Sequence, residues 1–439
     1  MNQLIAVTAA SRDRRYHLGM STNANDLTNA IFPEPHALFP PTRAAALKRL
    51  RNFVPLAGRV YAAERNADPG PGHKSNVSML SPYIRHRVVT EHEVVEAVLH
   101  KYAPSTAEKF IHEVFWRTYW KGWLQMRPSV WQAFVDERDA ERDRAAGNAG
   151  LKKALDEAEE GRTGIDCFDD WVAELKATGY LHNHVRMWFA SIWIFTLKLP
   201  WALGADFFLR HLIDGDPASN TLGWRWVAGI QTPGKTYLAR PDNIEKYTGG
   251  RYRPAGLATE APAIREESPP QRQPIVPADE VPNGARVLVL VHGDDLRGFE
   301  SLSGNVDIAG VVVARAGHAA SPWPFGDKAR RFVSEAANDS ARQATSALGV
   351  ESELIDELDA EQLVVRAERN DARMIVTADA SIGPIDDGLR QLHENLASAG
   401  VELKRVRRAW DENAWPHATR GFFPFKKKIP ALLEQAGLA

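Results

Sequence analysis

A single cysteine, Cys167, stands in 439 residues, which excludes a disulfide framework and any four-cysteine zinc or iron–sulfur site within the chain. No apolar run reaches the roughly 18 to 20 residues needed to cross a bilayer, so no membrane association is expected. The opening stretch MNQLIAVTAASRDRRYHLG puts its short apolar patch ahead of its basic residues, the reverse of a secretory signal, and a cytoplasmic protein is expected. Charge of one sign is also lacking. With 54 basic and 56 acidic residues the net charge is −2, which excludes a uniformly basic coat but leaves a local basic groove for nucleic acid open. The strand-like RVLVLVHGDDLRGFE carries no G-x-G-x-x-G, so nicotinamide dinucleotide binding by that route is not expected.

What the chain does have is tryptophan, thirteen in all. Ten of them fall between Trp116 and Trp226, so the interior of that part should be unusually aromatic. Apolar residues recur there at helical spacing, in ALKRLRNFV, TEHEVVEAVLHKY, AEKFIHEVFWRTYWKGWL, FDDWVAELKATG and NHVRMWFASIWIFTLKL. From Pro254 to Pro282 seven prolines sit among polar residues, the composition of an extended linker. Beyond it the pattern changes to short continuous apolar runs, RVLVLV, IAGVVVA, QLVVRA, RMIVTAD and VELKRV, which predict a parallel sheet covered on both faces. The reading is therefore multidomain, all-α followed by a Rossmann-like parallel α/β domain. Its limits are an N-terminal extension 1–44, a helical domain 45–251, a linker 252–284 and an α/β domain 285–439. The charge-dense segment 136–161 reads as a solvated loop or exposed helix, and Lys426 to Lys428 as a solvated helix end.

Four stretches carry chemistry. In HEVFWRTYW, Glu113, Trp116, Arg117 and Trp120 share one helical stripe; they form either a cavity floor that stacks and hydrogen-bonds a planar ligand, or a surface ion pair beside core tryptophans. In TGYLHNHVRMWFA, Asn183, Arg186 and Met187 share a face, and an arginine in so apolar a helix needs a partner, with Asp214 or Asp216 the nearest aspartates in kind. In SNVSMLSPYI, Ser75, Ser78 and Ser81 precede a helix start, as in phosphate cradles and in ordinary caps. DGDPASNTLGWRW begins like a calcium loop, but Ala218 and Ser219 stand where an acid and a glycine are required, and calcium is rejected. No other metal site is expected. A helix begun near Ser219 puts Asn220 and Trp224 one turn apart. Asp294 and Asp295 read as loop acids.

In this order, SMLSPYI, EVFWRTYW, TGYLHNHVRM and LIDGDPASNTLGWRW resemble the flavin-binding helical domain of the photolyase and cryptochrome family. The part after the linker is similar to that family's antenna domain, which in the family comes first, so the chain looks circularly permuted. The resemblance implies bound FAD. It implies Tyr61, Ser78, Leu80 and Ser81 around the pyrophosphate, with Arg117 near the cofactor. It implies Asn183 and Arg186 on the flavin side, with Arg186 paired to Asp214, Asp216 beside the flavin and its ribitol, and Asn220 facing the ring. Glu113, Trp116, Asn183, Met187 and Trp226 would form the lesion cavity, Trp224 then Trp201 would relay electrons, and Lys235 and Arg240 would meet DNA.

The implied function is light-driven repair of cyclobutane pyrimidine dimers in UV-damaged DNA by electron transfer from reduced FAD, by a monomeric carbon–carbon lyase. The alternative is a cryptochrome-like blue-light receptor that binds FAD without repair. A second antenna chromophore, a folate or a deazaflavin, is also implied, although Gly293 and Asp294 replace the family's paired arginines. Further departures are Val77 for a threonine, His184 for a DNA-contacting arginine, and the lack of the third tryptophan of the relay, for which Trp188 or Trp193 are candidates.

Overall fold

The computed structural model describes residues 38–73, 75–266, 268–302, 306–315 and 321–438; of the extension read at 1–44, residues 1–37 lie outside them. Helices come first: α1 (Arg43–Phe53), α2 (Arg59–Glu64), α3 (Ser81–Arg85), α4 (Glu91–Leu99), α5 (Glu108–Gln125), α6 (Pro128–Ala146), α7 (Ala149–Glu160), α8 (Asp166–Thr178), α9 (Asn183–Ser191), α10 (Trp201–His211), α11 (Pro217–Val227) and α12 (Pro241–Tyr247). Their starts follow local chemistry. Thr90 and Glu93 make a reciprocal capping box at α4. Asp216 caps α11 by accepting from the Ser219 amide at 2.7 Å, with Pro217 preset in the first turn. A π-helical turn, Ile192–Thr196, follows α9.

The strands β1 (Arg286–Val291), β2 (Asp307–Ala314), β3 (Ser352–Ile355), β4 (Met374–Ala378) and β5 (Glu402–Val406) form one parallel sheet in the order β3-β2-β1-β4-β5. Alternation along β1 serves two cores. Val287, Val289 and Val291 join the interior shared with the helical half, while Leu288 and Leu290 join a second core on the other face. Between the strands run α13 (Asp327–Leu348), α14 (Ala360–Arg369) and α15 (Pro384–Ser398), and the chain ends with α16 (Ala409–Ala414), α17 (Phe422–Lys426) and α18 (Ile429–Gln435).

One expected strand is a helix, and one strand was not expected. QLVVRA lies in α14, because Asp359 caps the segment through the Glu361 and Gln362 amides. Leu363 and Ala367, four apart, are its buried positions. The third strand is the polar-looking SELI. Among its described residues the proline-rich segment has no regular structure, yet it is tied down: Gln273 donates to Met126 O at 2.8 Å, Ile264 to Ala228 O at 3.0 Å, and Asp279 to Arg405 O at 2.9 Å. The charged segment 136–161 forms the end of α6 and all of α7. It is not wholly solvated, since Arg138 approaches buried Asp206 at 3.8 Å and Glu159 meets Arg210 at 2.9 Å.

The carboxyl end of β1 faces the helical half. Asp294 and Asp295 are not free loop acids: Asp294 pairs with Arg85 at 2.8 Å and Asp295 with Arg87 at 3.2 Å and with Arg408, and both acids are buried. Close packing is also set by Gly204 on α10. A methyl group there would stand 2.8 Å from Trp193 Nε1 and closer still to the ring of Trp224. Two buried indoles cannot both retreat, so Gly204→Ala is expected to cost about 1–3 kcal/mol and to change the near-UV circular dichroism of the tryptophans. A wild-type melting curve and spectrum would refute this.

Candidate functional site

A cavity of about 600 Å3 opens among α5, α9, α10 and α11. Each helix contributes from one face. On α5 the stripe spacing turns Glu113, Trp116 and Arg117 to the cavity; α9 contributes Asn183, Arg186 and Met187. The loop before α11 and its first turns bring Asp214, Asp216, Ser219 and Asn220, and the same helix continues with Trp224 and Trp226. Ser81, the first residue of α3, completes this wall.

The electrostatics are concentrated at two aspartates. Arg186 Nη2 donates to Asp214 Oδ2 at 2.9 Å, and this cation, with help from Ser81, holds the buried Asp214 carboxyl below its usual range against desolvation. Asp216 lies amid Arg117 at 3.5 Å, Lys121 at 3.7 Å and Arg85 at 4.0 Å, which drive its carboxyl far down although burial opposes them. Glu113 is the contrast. Burial raises its pKa, and its ion pair with Arg65 only partly offsets that. Asn220 donates to Ala205 O at 2.8 Å, which fixes its amide and leaves the carbonyl side free.

Among the described residues, several buried polar atoms of the wall have no hydrogen-bond partner: Asp214 Oδ1, Ser219 Oγ and Trp224 Nε1, and also Arg117 Nη1 and Asp216 Oδ2, which face one another only as an ion pair at 3.5 Å. Buried polar groups are normally satisfied, so a wall with both donors and acceptors left over is suited to a polar, aromatic-containing ligand. A large flavin dinucleotide fits that donor set. Arg117 and Arg186 offer cationic charge, the two aspartates and Asn220 acceptors, and the indoles flat apolar surface.

Not every residue singled out in the sequence lines the cavity. Tyr61 is buried in a ring cluster with Phe53 and Phe110. Ser78 accepts from the Leu80 amide at 3.3 Å, a local turn that Met79 helps to close with a left-handed backbone (φ 49°). Trp201 packs on Phe134 at 5.8 Å, and Phe134 on Trp131 at 5.4 Å, whereas the ring neighbours of Trp224 are Phe208 at 5.2 Å, Trp193 at 6.2 Å and Phe189 at 6.4 Å. Trp188 stacks instead on His184 and Trp171. Lys235 and Arg240 are exposed, and Arg240 is paired with Asp242 at 3.1 Å. His184 bonds Asn66 O at 3.0 Å through Nδ1, and burial lowers its pKa.

Other residues at the site were not foreseen. Lys121 and Arg85 neutralise Asp216, Arg65 holds Glu113, and Phe422 lies flat against Trp116 with ring centroids 3.7 Å apart and planes at 12°. Only Lys121 left a trace in the sequence, one turn after Arg117 on α5. Among the described residues no cluster of histidine, cysteine, aspartate or glutamate is arranged to hold a metal.

A second cavity, of about 390 Å3, lies between the halves at the carboxyl ends of the strands. Gly293, Asp294, Arg315 and Asp356 line it from the sheet side, and Arg85 and His86 from the helical side. His86 touches Gly293 O at 2.6 Å and Ile213 O at 2.9 Å, and burial pushes its pKa down to about 4.

The helical half thus presents a cavity lined by buried charges and by indole rings. Residues 110–248 match the family described as the FAD binding domain of DNA photolyase. Similar proteins include the deoxyribodipyrimidine photo-lyases of Alkalihalophilus pseudofirmus, 31% identical over 44% of this chain and 39% of the relative, and of Thermus thermophilus, 31% identical over 55% and 54%. That of Halobacterium salinarum is 29% identical over 57% and 50%. The match thus spans about half the length of these curated relatives or less. Among solved structures, a class III photolyase from Agrobacterium tumefaciens is similar at 26% identity and a TM-score of 0.42, covering 52% of this chain and 46% of that one.

Proposed function

We propose that this protein is a light-dependent flavoprotein that repairs cyclobutane pyrimidine dimers in UV-damaged DNA. One observation carries the reading: Glu113, Trp116, Asn183, Met187 and Trp226 share a single cavity with the buried charges around Asp214 and Asp216. FAD, when bound, supplies the light absorption and the transferable electron. The protein's own groups do the rest. Arg186 and Asp214 brace α9 against the loop before α11, while Arg117 and Lys121 keep Asp216 ionised in a buried place. Trp116 and Trp226 offer ring faces to extruded bases, which are easiest to unstack when damaged. Glu113 and Asn183 supply hydrogen bonds. Trp224 and then Trp201 relay electrons in this reading, with Trp193, the indole in ring contact with Trp224, a further relay candidate.

A sensory role without repair, as in a cryptochrome-like blue-light receptor, is the second reading. What favours it is His184, whose uncharged ring is held by Asn66 O and stacked on Trp188, giving phosphate little to bind. The experiment is direct. The purified protein should be yellow, and under reducing conditions and blue light it should convert a thymine-dimer oligonucleotide back to intact thymines, measured by chromatography. A yellow, photoreducible protein that leaves the dimer untouched establishes the sensor instead, and a colourless one removes both readings.

The same proposal takes residues 45–251 as the catalytic domain and 285–439 as a permuted antenna domain joined through 252–284. The second cavity is then the place for a folate or deazaflavin ring. A monomeric, cytoplasmic enzyme belongs to this reading. Among the described residues no helix is long and apolar enough to cross a membrane.

A further inference from the structure

Phe423 is 80% exposed, and it stands at the rim of the 600 Å3 cavity. Its exposure is imposed by its neighbours. Phe422 lies flat on Trp116, Phe425 packs on Tyr119 at 5.5 Å, and the Tyr119 hydroxyl donates to Arg420 O at 2.7 Å. Lys426 bridges to Glu108 at 3.1 Å. With both flanking rings seated on α5, α17 cannot turn to bury Phe423 without unstacking Phe422 from Trp116. A single exposed apolar side chain is ordinary. Here it lines the same cavity as Trp116, Met187 and Trp226, and exposed Arg420, Lys427 and Lys428 flank it in the chain. That combination, cations for phosphates and an apolar ring between them, is the chemistry with which proteins enter a nucleic-acid stack.

We infer that Phe423 is a further substrate-contacting residue, an apolar wedge that packs against the bases flanking a pyrimidine dimer when the dimer leaves a duplex for the cavity. The inference rests on the repair reading and adds a residue to it from the far end of the chain. A duplex keeps a gap, lined by the unpaired partner bases, where the dimer was; a single strand has no such gap. The wedge therefore acts on double-stranded substrate.

The test uses the full chain in the dark, with fluorescent oligonucleotides bearing one thymine dimer, single- and double-stranded, and undamaged controls. Phe423→Ala is expected to weaken dimer-duplex binding roughly tenfold, the scale of one lost stacking contact, and to leave dimer single-strand binding within about twofold. Phe423→Trp should restore the duplex affinity. Flavin content and melting temperature should stay at the wild-type values, because the ring touches solvent rather than core. Unchanged duplex binding by Phe423→Ala would overturn the inference, as would equal losses on both substrates or a fall in flavin content or melting temperature. A wild-type protein with no preference for dimer over undamaged DNA would remove the repair reading itself, and this inference with it.

Discussion

Replacing Arg87 with alanine is expected to cost about 3–5 kcal/mol of stability, the usual penalty for stranding buried charges, and to loosen the joint between the two halves. Arg87 is almost fully buried, with a left-handed backbone (φ 47°) that turns the chain after α3. Its guanidinium meets Glu91 at 3.3 Å, Asp295 at 3.2 Å and Asp411. One of these acids belongs to the helical half and two to the α/β half. Asp295 keeps Arg408 after the substitution, but Glu91 and Asp411 lose their main cation and already repel one another. Lys121 acts on both acids, and Arg117 on Glu91, but in each case after Arg87.

The sign of the pH dependence follows. Burial raises the Asp411 carboxyl even with Arg87 present. Without Arg87 its folded pKa rises further above the unfolded value, so the folded variant binds more protons and loses stability as pH rises through that range. The gap between wild type and Arg87→Ala should therefore be wider near pH 8 than near pH 5, as read from urea or guanidinium midpoints. A gap that is constant with pH would mean that the two acids are relieved by water or by movement. The double change Arg87→Met with Asp411→Leu should cost less than the two single costs added together, because it removes charge and counter-charge at once.

This joint was the least legible part of the sequence. Asp294 and Asp295 looked like solvated acids at a strand end because their partners, Arg85 and Arg87, lie more than two hundred positions away, and nothing local marks a long-range ion pair. The same limit hid Arg65 beneath Glu113 and Phe422 beneath Trp116. What periodicity can see it saw: the all-α first half, the parallel sheet after it, and the stripes that turn Glu113, Trp116 and Arg117, or Asn183, Arg186 and Met187, to one wall. Periodicity also misled where burial is one-sided. QLVVRA is apolar enough for a strand, but Leu363 and Ala367 are buried at helical spacing while Val365 is 60% exposed. SELI pairs only with β2, at the edge of the sheet, and its half-buried strand carries little of the apolar signal that marks β1 and β4. The phosphate-cradle reading of Ser75, Ser78 and Ser81 was divided for a related reason. Serines that close their own turns and serines that face a ligand look alike in sequence, and here Ser75 and Ser78 bond the Val77 and Leu80 amides while Ser81 lines the cavity.

The second large effect is expected at Asp216, where Asp216→Asn should cost about 3–5 kcal/mol, the scale of breaking a buried pair, and lower the flavin content of the purified protein. Asp216 is 1% exposed and is the common counter-ion of Lys121, Arg117 and Arg85. Arg85 retains Asp294 at 2.8 Å, so the stranded cations are Lys121, whose side chain is 3% exposed, and Arg117. Asparagine still accepts from the Ser219 amide and keeps the cap of α11; Asp216→Ala loses that as well, for about 1 kcal/mol more. Comparing the two variants separates charge from cap. Flavin content, read from absorbance after gel filtration, should fall in both, since Asp216 lines the cavity and its Oδ2, held by ion pairs, has no hydrogen bond among the described residues. The pH dependence runs opposite to that of Arg87→Ala. The three cations hold the Asp216 carboxyl far below its unfolded value near 3.9. Its stabilisation is thus complete above that value and is lost as pH falls toward the folded one. The difference between wild type and Asp216→Asn should be full at pH 6 and shrink below about pH 4, provided both proteins remain folded there. A difference that persists unchanged into acid would show that shape or hydrogen bonding at this position, and not its charge, holds the cavity wall together.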